Sequence, residues 1–448
     1  MAPDRLFAGL FAHGEAAAQA TDRALLEAMV EVEVALLEAL ADLGLAPAEA
    51  ARELADAVAS GKLELDLDDL GRAAGQQGTP IPGLLRALRR QLDGAASAHL
   101  HMGATSQDVI DTAIMLVARR ALDSIVADLG EAADACAALV ERHRAAIVPG
   151  RTLLQQALPV TFGLKAAGWL SGLDAAKDAL AAIRAHELAV QFGGAVGTLA
   201  SLGDRGLEVG VGMAERLGLA AAELPWHAIR LRPARLATGL GITLGLLGKL
   251  GRDVVLLAQT EVAEANEGGG EGRGGSSTMP HKRNPVGAVA LVACAQRGPG
   301  LVATMLAAMA QEHERGAGAW QAEWETLLEL LRLTGSAAAI AKELLAGLEV
   351  DLEKMRSDMD ITGGLVMSES VAAALAKSLG RSDAQNLVEA AARRSVDERR
   401  GFRDVLLELP EVTEALGADG LDIALDPAGY LGVTSELIDR AVVAHRGR

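Results

Sequence analysis

Apolar residues recur along most of this chain at steps of three and four, the spacing that gathers them on one face of a helix. From Asp22, read as an N-cap, they fall at Leu25, Met29, Val32, Leu36, Leu40 and Leu43, and Gly44 with Pro47 closes the pattern. A longer stripe follows Pro233, through Leu236, Leu240, Leu244, Leu247, Leu250, Val254 and Leu257 towards Glu264. Inside it lie Gly239, Gly241, Gly245, Gly248 and Gly251. Each lowers helix stability by about 1 kcal/mol relative to Ala, so their use is to let neighbouring helix backbones approach closely. Further helical patterns cover residues 108–142, 162–192, 286–312 and 323–347, and no convincing strand emerges. The expectation is an all-α protein with a bundle of long helices at its centre.

Breaks in the pattern divide the chain. Pro80, Pro82 and Gly94 interrupt the helices of an N-terminal domain over residues 1–107. The long-helix bundle spans 108–350. A charged stretch ending in Gly363-Gly364 then opens a C-terminal helical domain over 351–448. No repeat of fixed period is present. One irregular segment, Gly268-Gly-Gly-Glu-Gly-Arg-Gly-Gly-Ser-Ser-Thr-Met-Pro-His-Lys-Arg-Asn-Pro285, separates two good helical patterns and is expected to be a mobile loop.

Composition narrows the function. Half of the 448 residues are hydrophobic but only 2% are aromatic, so the core is expected to be Ala, Leu and Val between closely packed helices. Lys plus Arg number 42 against 60 Asp plus Glu, a net charge of 42 − 60 = −18. That excludes a general nucleic-acid binder or an anionic-membrane binder, both of which need a basic surface. An anionic substrate would need its cations concentrated in one site. The two cysteines give no disulfide framework and no metal quartet. His99 and His101 lack a third ligand, so neither metal nor cofactor is expected. The uncharged run Leu188–Gly203 ends after 16 residues, short of the roughly 20 a membrane helix needs. With no apolar signal core after Met1, the chain reads as soluble and cytoplasmic.

The irregular loop carries candidate chemistry. Clustered glycines expose backbone amides, Ser276 and Ser277 supply hydroxyls, and Lys282 and Asn284 add a cation and a carboxamide. That set suits a carbanion whose charge flows into a carboxylate. The absence of Gly-Lys-Ser/Thr before the next helix argues against a phosphate loop.

Gly275-Ser-Ser-Thr-Met-Pro-His-Lys-Arg-Asn284 resembles the GSSxMPxKxN signature of the fumarase/aspartase superfamily. Two further segments resemble it as well: His101-Met-Gly-Ala-Thr-Ser-Gln-Asp-Val-Ile-Asp-Thr112, and Gly150-Arg-Thr-Leu-Leu-Gln-Gln-Ala-Leu-Pro-Val-Thr-Phe-Gly163. Within the superfamily, Pro225-Trp-His-Ala-Ile-Arg230 and the 313–324 segment resemble the branch of carboxymuconate cycloisomerases, which act in protocatechuate breakdown.

The resemblance implies a three-domain fold, a small polycarboxylate substrate and a homotetramer whose sites take segments from different chains. It implies Ser276, Lys282 and His101 as catalytic residues. Thr105, Ser106, Thr152, Gln155, Met279 and Asn284 would bind substrate. Arg151 suits a substrate carboxylate or a structural ion pair. Arg230 and Arg315 are candidates for the remaining carboxylates or for a solvated face. His227 and His313 are weaker site candidates, and the four tryptophans are read as core or interface anchors.

One departure is informative. Leu153 stands where the superfamily pattern has a histidine after Thr152. Lyases that expel an amine benefit from a general acid near the leaving group. A carboxylate nucleophile is already ionised at neutral pH and needs no base. The departure therefore favours lactonisation, or loss of a stable anion such as nitrite, over amine elimination. A β-eliminating lyase on a substituted succinate and a catalytically silent helical scaffold are the other readings.

Overall fold

The computed structural model describes residues 6–268, 274–275, 278–279 and 281–448. Long helices dominate: Ser106–Arg142, Phe162–His186, Leu231–Leu257, Val286–Ala307 and Ala319–Ala346. The first has 37 residues, about 55 Å at 1.5 Å per residue. The apolar stripe read from Asp22 forms the helix Asp22–Asp42. Its cap is one residue earlier than expected, because the Thr21 hydroxyl accepts from the Ala24 N–H at 3.2 Å.

The chain divides into two compact units, each drawn from separate stretches of sequence. The first comprises Met1–Gly130, Ala175–Gly251 and Val289–Ala341; the second comprises Glu131–Asp174, Arg252–Ala288 and Lys342–Arg448. In the first unit, three glycines of the stripe sit at close helix crossings, whereas Gly245 meets nothing within 4 Å. A Cβ on Gly239 would lie 2.3 Å from Ile183, one on Gly241 2.4 Å from Val302, and one on Gly248 2.4 Å from Ala295. Bare backbone at these crossings lets the helices close on a core with few aromatic rings. In the second unit, Val371, Leu375, Val388, Phe402, Val405, Leu406 and Leu421 form the core of the C-terminal helices.

The structure adds short strands where the sequence pattern showed none. Among the described residues there are three two-stranded pairings. The one that matters for function joins Ile147–Thr152 to Gln155–Thr161 as an antiparallel hairpin. Pro149, Gly150 and Pro159 obscure its alternation, and its two-residue turn is Leu153-Leu154 rather than Asn-Gly. Both turn residues have positive φ, 50° and 67°. Among the described residues, Val286–Ala307 is the one helix long and apolar enough to cross a membrane; about a third of its most apolar stretch is buried.

Candidate active site

In the first unit, the His101–Thr112 segment explains itself residue by residue. Gly103 turns the chain at φ 80°, with Leu202 so close that a Cβ would lie 2.6 Å from its Cδ1. Asp108, in the first turn of the long helix, is buried and accepts from the backbone N–H groups of Thr105 (2.9 Å), Gly193 (3.1 Å) and Gly194 (2.9 Å). His227 Nε2 adds a fourth contact at 2.7 Å. These bonds fix the loop that presents Thr105 and Ser106. Thr112 meets Gln191 through both backbone groups.

Arg315 comes to the same loop. Its Nη1 donates to the Thr105 hydroxyl at 2.8 Å, and its Nε lies 3.4 Å from the Gln107 carboxamide oxygen. It is half-buried and has no carboxylate partner among the described residues. His101 is held from the other side by Glu33, with Nδ1 2.6 Å from Oε1. Burial disfavours the imidazolium, but the Glu33 and Asp108 charges outweigh it and raise the His101 pKa above its ordinary value.

Arg230 departs from both sequence expectations, being neither a substrate ligand nor a solvated residue. It is 3% exposed. Nη1 and Nη2 donate to Asp111 at 2.8 and 2.9 Å, and Nε and Nη2 donate to Glu323, the shortest contact being 2.6 Å. Trp226 lies under the guanidinium and Trp320 Nε1 donates to Asp111. Every donor edge is therefore consumed inside the protein. Burial holds the Glu323 carboxyl above its usual range despite Arg230. His227 is likewise buried on Asp108, whereas His313 is exposed.

In the second unit, Arg151 takes the ion-pair role of its two. Its guanidinium grips Glu264 with two bonds of 2.8 and 2.6 Å. Burial and the neighbouring Asp358 carboxyl keep Glu264 above the usual carboxylate range even so. Thr152 and Gln155 face each other across the last rung of the hairpin, and both are exposed. Leu153 at the tip is 97% exposed and Leu154 74%.

The arms of the signature loop pair with each other. Asn284 donates its backbone N–H (2.9 Å) and its Nδ2 (3.0 Å) to the Gly274 carbonyl, and Gly275 bridges to Arg283. Gly274 has φ 71°, and a Cβ there would lie 2.5 Å from the Asn284 carbonyl oxygen. The Lys282 N–H donates to the Met279 carbonyl at 3.0 Å, and both side chains are exposed. Ser276, one of the expected catalytic residues, lies outside the described residues, as do Ser277 and Pro280.

The structure thus groups the expected site residues as two sets. His101, Thr105, Ser106 and Arg315 belong to the first unit; Arg151, Thr152, Gln155, Met279, Lys282 and Asn284 belong to the second.

Comparison with known proteins places this geometry. A family model described as lyase matches residues 13–300, and one described as adenylosuccinate lyase C-terminus matches residues 364–441. The chain belongs to the fumarase/aspartase superfamily of lyases. Among members of this superfamily, a 3-carboxy-cis,cis-muconate cycloisomerase of Pseudomonas aeruginosa is 49% identical over 84% of this chain and 83% of its own length. A nitrosuccinate lyase of Streptomyces davaonensis is 44% identical over 95% of this chain and 91% of its own. The crystal structure of the 3-carboxy-cis,cis-muconate lactonizing enzyme from Pseudomonas putida superposes with a TM-score of 0.93 at 41% identity, covering 99% of both chains. The all-α superfamily fold expected from the sequence is the fold observed.

Sequence reasoning assigned no role to several residues that shape these two sets. Asp108 and Asp111 were inside the quoted motif without a function. Glu33 leaves a legible trace, a lone carboxylate on the otherwise apolar buried face of its helix. Glu264 carries no such trace, because nothing local marks it as the partner of Arg151.

Proposed function

We propose that the protein is a 3-carboxy-cis,cis-muconate cycloisomerase, converting that tricarboxylate to 4-carboxymuconolactone. The observation that carries the reading is Leu153: the exposed tip between Thr152 and Gln155 offers no acid or base where amine-expelling relatives of the pattern hold a histidine. Ring closure needs none. A substrate carboxylate oxygen adds to the alkene carbon conjugated with a second carboxylate, forming the C–O bond. The π electrons move into that second carboxylate as an aci-carboxylate, which is then protonated at carbon. Atoms and charge balance without a cofactor.

In this scheme Ser276 delivers the proton, and Lys282 with Asn284 and the loop amides hold the charge that builds up. Thr105, Ser106 and Arg315 bind the other carboxylates, with His101 beside them. Thr152, Gln155 and Met279 line the opposite side of the substrate. We further propose that the site is completed in a homotetramer, which would bring the two sets together from different chains. Apolar residues left exposed on the bundle helices support self-association: Ile242 at 73%, Val289 at 51% and Leu306 at 48%. A reducing cytosol suits the two buried free thiols.

The test is the ultraviolet absorbance of 3-carboxy-cis,cis-muconate mixed with purified protein. The wild type should remove the diene absorbance and Ser276→Ala should not, with the melting temperature unchanged. An unaltered trace with wild type would refute the assignment. The second reading, nitrosuccinate elimination, is favoured by the 44% identical relative and also needs no acid at residue 153, since nitrite leaves as a stable anion. Fumarate and nitrite released from nitrosuccinate would establish it instead.

A further inference from the structure

No motif in the sequence marks Glu33 as functional. The residue sits midway along the Asp22–Asp42 helix among Met29, Val30, Val32, Leu36 and Leu37, all buried, and is itself 0% exposed. One carboxylate oxygen meets His101 Nδ1 at 2.6 Å; the other is buried with no hydrogen-bond partner among the described residues. A buried carboxylate that lacks compensation is strongly destabilising, and an apolar side chain would fill this helix face at less cost. His101 itself adopts φ 65°, a left-handed conformation unusual for a residue with a Cβ. A strained backbone and a singly anchored buried charge thus converge on one ring.

We propose that Glu33 is a positioning residue for the reaction, fixing the His101 ring with a proton on Nδ1 so that Nε2 is the nitrogen offered to a substrate carboxylate. This rests on the reading of His101 as a site residue given above. With Nδ1 committed, the ring cannot flip without leaving the Glu33 charge bare. The charged groups facing it come from three elements. Glu33 and Asp108, at the start of the long helix, favour the protonated ring; Arg89 of the Ile81–Arg89 helix opposes it, as does burial. The two carboxylates prevail. Nε2–H then donates to a carboxylate that Thr105, Ser106 and Arg315 also bind, a cationic donor in a chain whose superfamily histidine has become Leu153.

Glu33→Gln keeps the shape and removes the charge; Glu33→Asp keeps the charge and lengthens the contact. Ring 15N signals of His101, assigned with His101→Asn, report its titration without reference to activity. The midpoint should move to lower pH in the Gln variant and in the same direction, by less, in the Asp variant. For 3-carboxy-cis,cis-muconate turnover, the alkaline limb of kcat/KM should move with it. Activity at about pH 8 should fall tenfold or more, while the acid side changes little. An unmoved midpoint, or a loss equal at every pH, would overturn the proposal and leave Glu33 a packing residue. A moved midpoint in a protein that never consumes the muconate would sink the substrate reading and retain the positioning role. Should the Gln variant not fold, the Asp variant carries the same test.

Discussion

Replacing Arg230 with Met separates a structural cation from a substrate ligand. Five hydrogen bonds of 2.6 to 3.1 Å run from this guanidinium to the Asp111 and Glu323 carboxylates. Met keeps the aliphatic stem and leaves two carboxylates, 2% and 3% exposed, with no cation between them. Removing one partner from a buried ion pair costs about 3–5 kcal/mol. The penalty should depend on pH. Glu323 is already raised by burial, and losing Arg230 raises it further. A carboxyl whose folded pKa exceeds its unfolded value favours the folded state while protonated, and that contribution is lost as pH rises through the folded pKa. The penalty should therefore be full at about pH 8 and smaller at about pH 5. Urea titrations followed by far-ultraviolet circular dichroism at the two pH values measure it. A loss below about 1 kcal/mol at both, with kcat/KM collapsed in a stable protein, would refute the structural role and return Arg230 to the substrate.

Two further outcomes are expected. Gly103→Ala puts a Cβ 2.6 Å from Leu202 Cδ1 on a backbone at φ 80°, so urea titration should show a loss of about 1–3 kcal/mol; a neutral result would contradict the tight turn. Burial pushes the Cys136 thiol up to about 12 and the Cys294 thiol to about 11. At about pH 8 neither should react with a chromogenic disulfide in the folded protein, and both should react in denaturant. Rapid native reaction would contradict their burial.

The helices were legible because their signal is local: a stripe of apolar residues at helical spacing is sufficient, and Asp22–Asp42 and Leu231–Leu257 form where it ran. The hairpin was not, because Pro149, Gly150 and Pro159 break its alternation and its turn is built from two leucines. The signature segments disclosed the superfamily and the residues on its loops. What they could not disclose was partnership at long separation. Arg230 reads as a cation near a motif; only the fold brings Asp111 and Glu323, 119 and 93 residues away, around it. The same limit hid Glu264 from Arg151, 113 residues apart.

Scarcity of aromatic side chains has a spectroscopic consequence. The chain has four tryptophans and one tyrosine. Three of the four indoles crowd about a single ionic knot: Trp226 under Arg230, Trp320 bonded to Asp111, and Trp324 edge-on to Trp320 with ring centroids 4.7 Å apart. The fourth, Trp169, belongs to the other unit and donates to Asp253. Intrinsic fluorescence is thus weighted towards one small region rather than averaged over the molecule. The coupled pair lends that region its own near-ultraviolet dichroism, so the protein carries an optical gauge of its buried charge cluster without any added label.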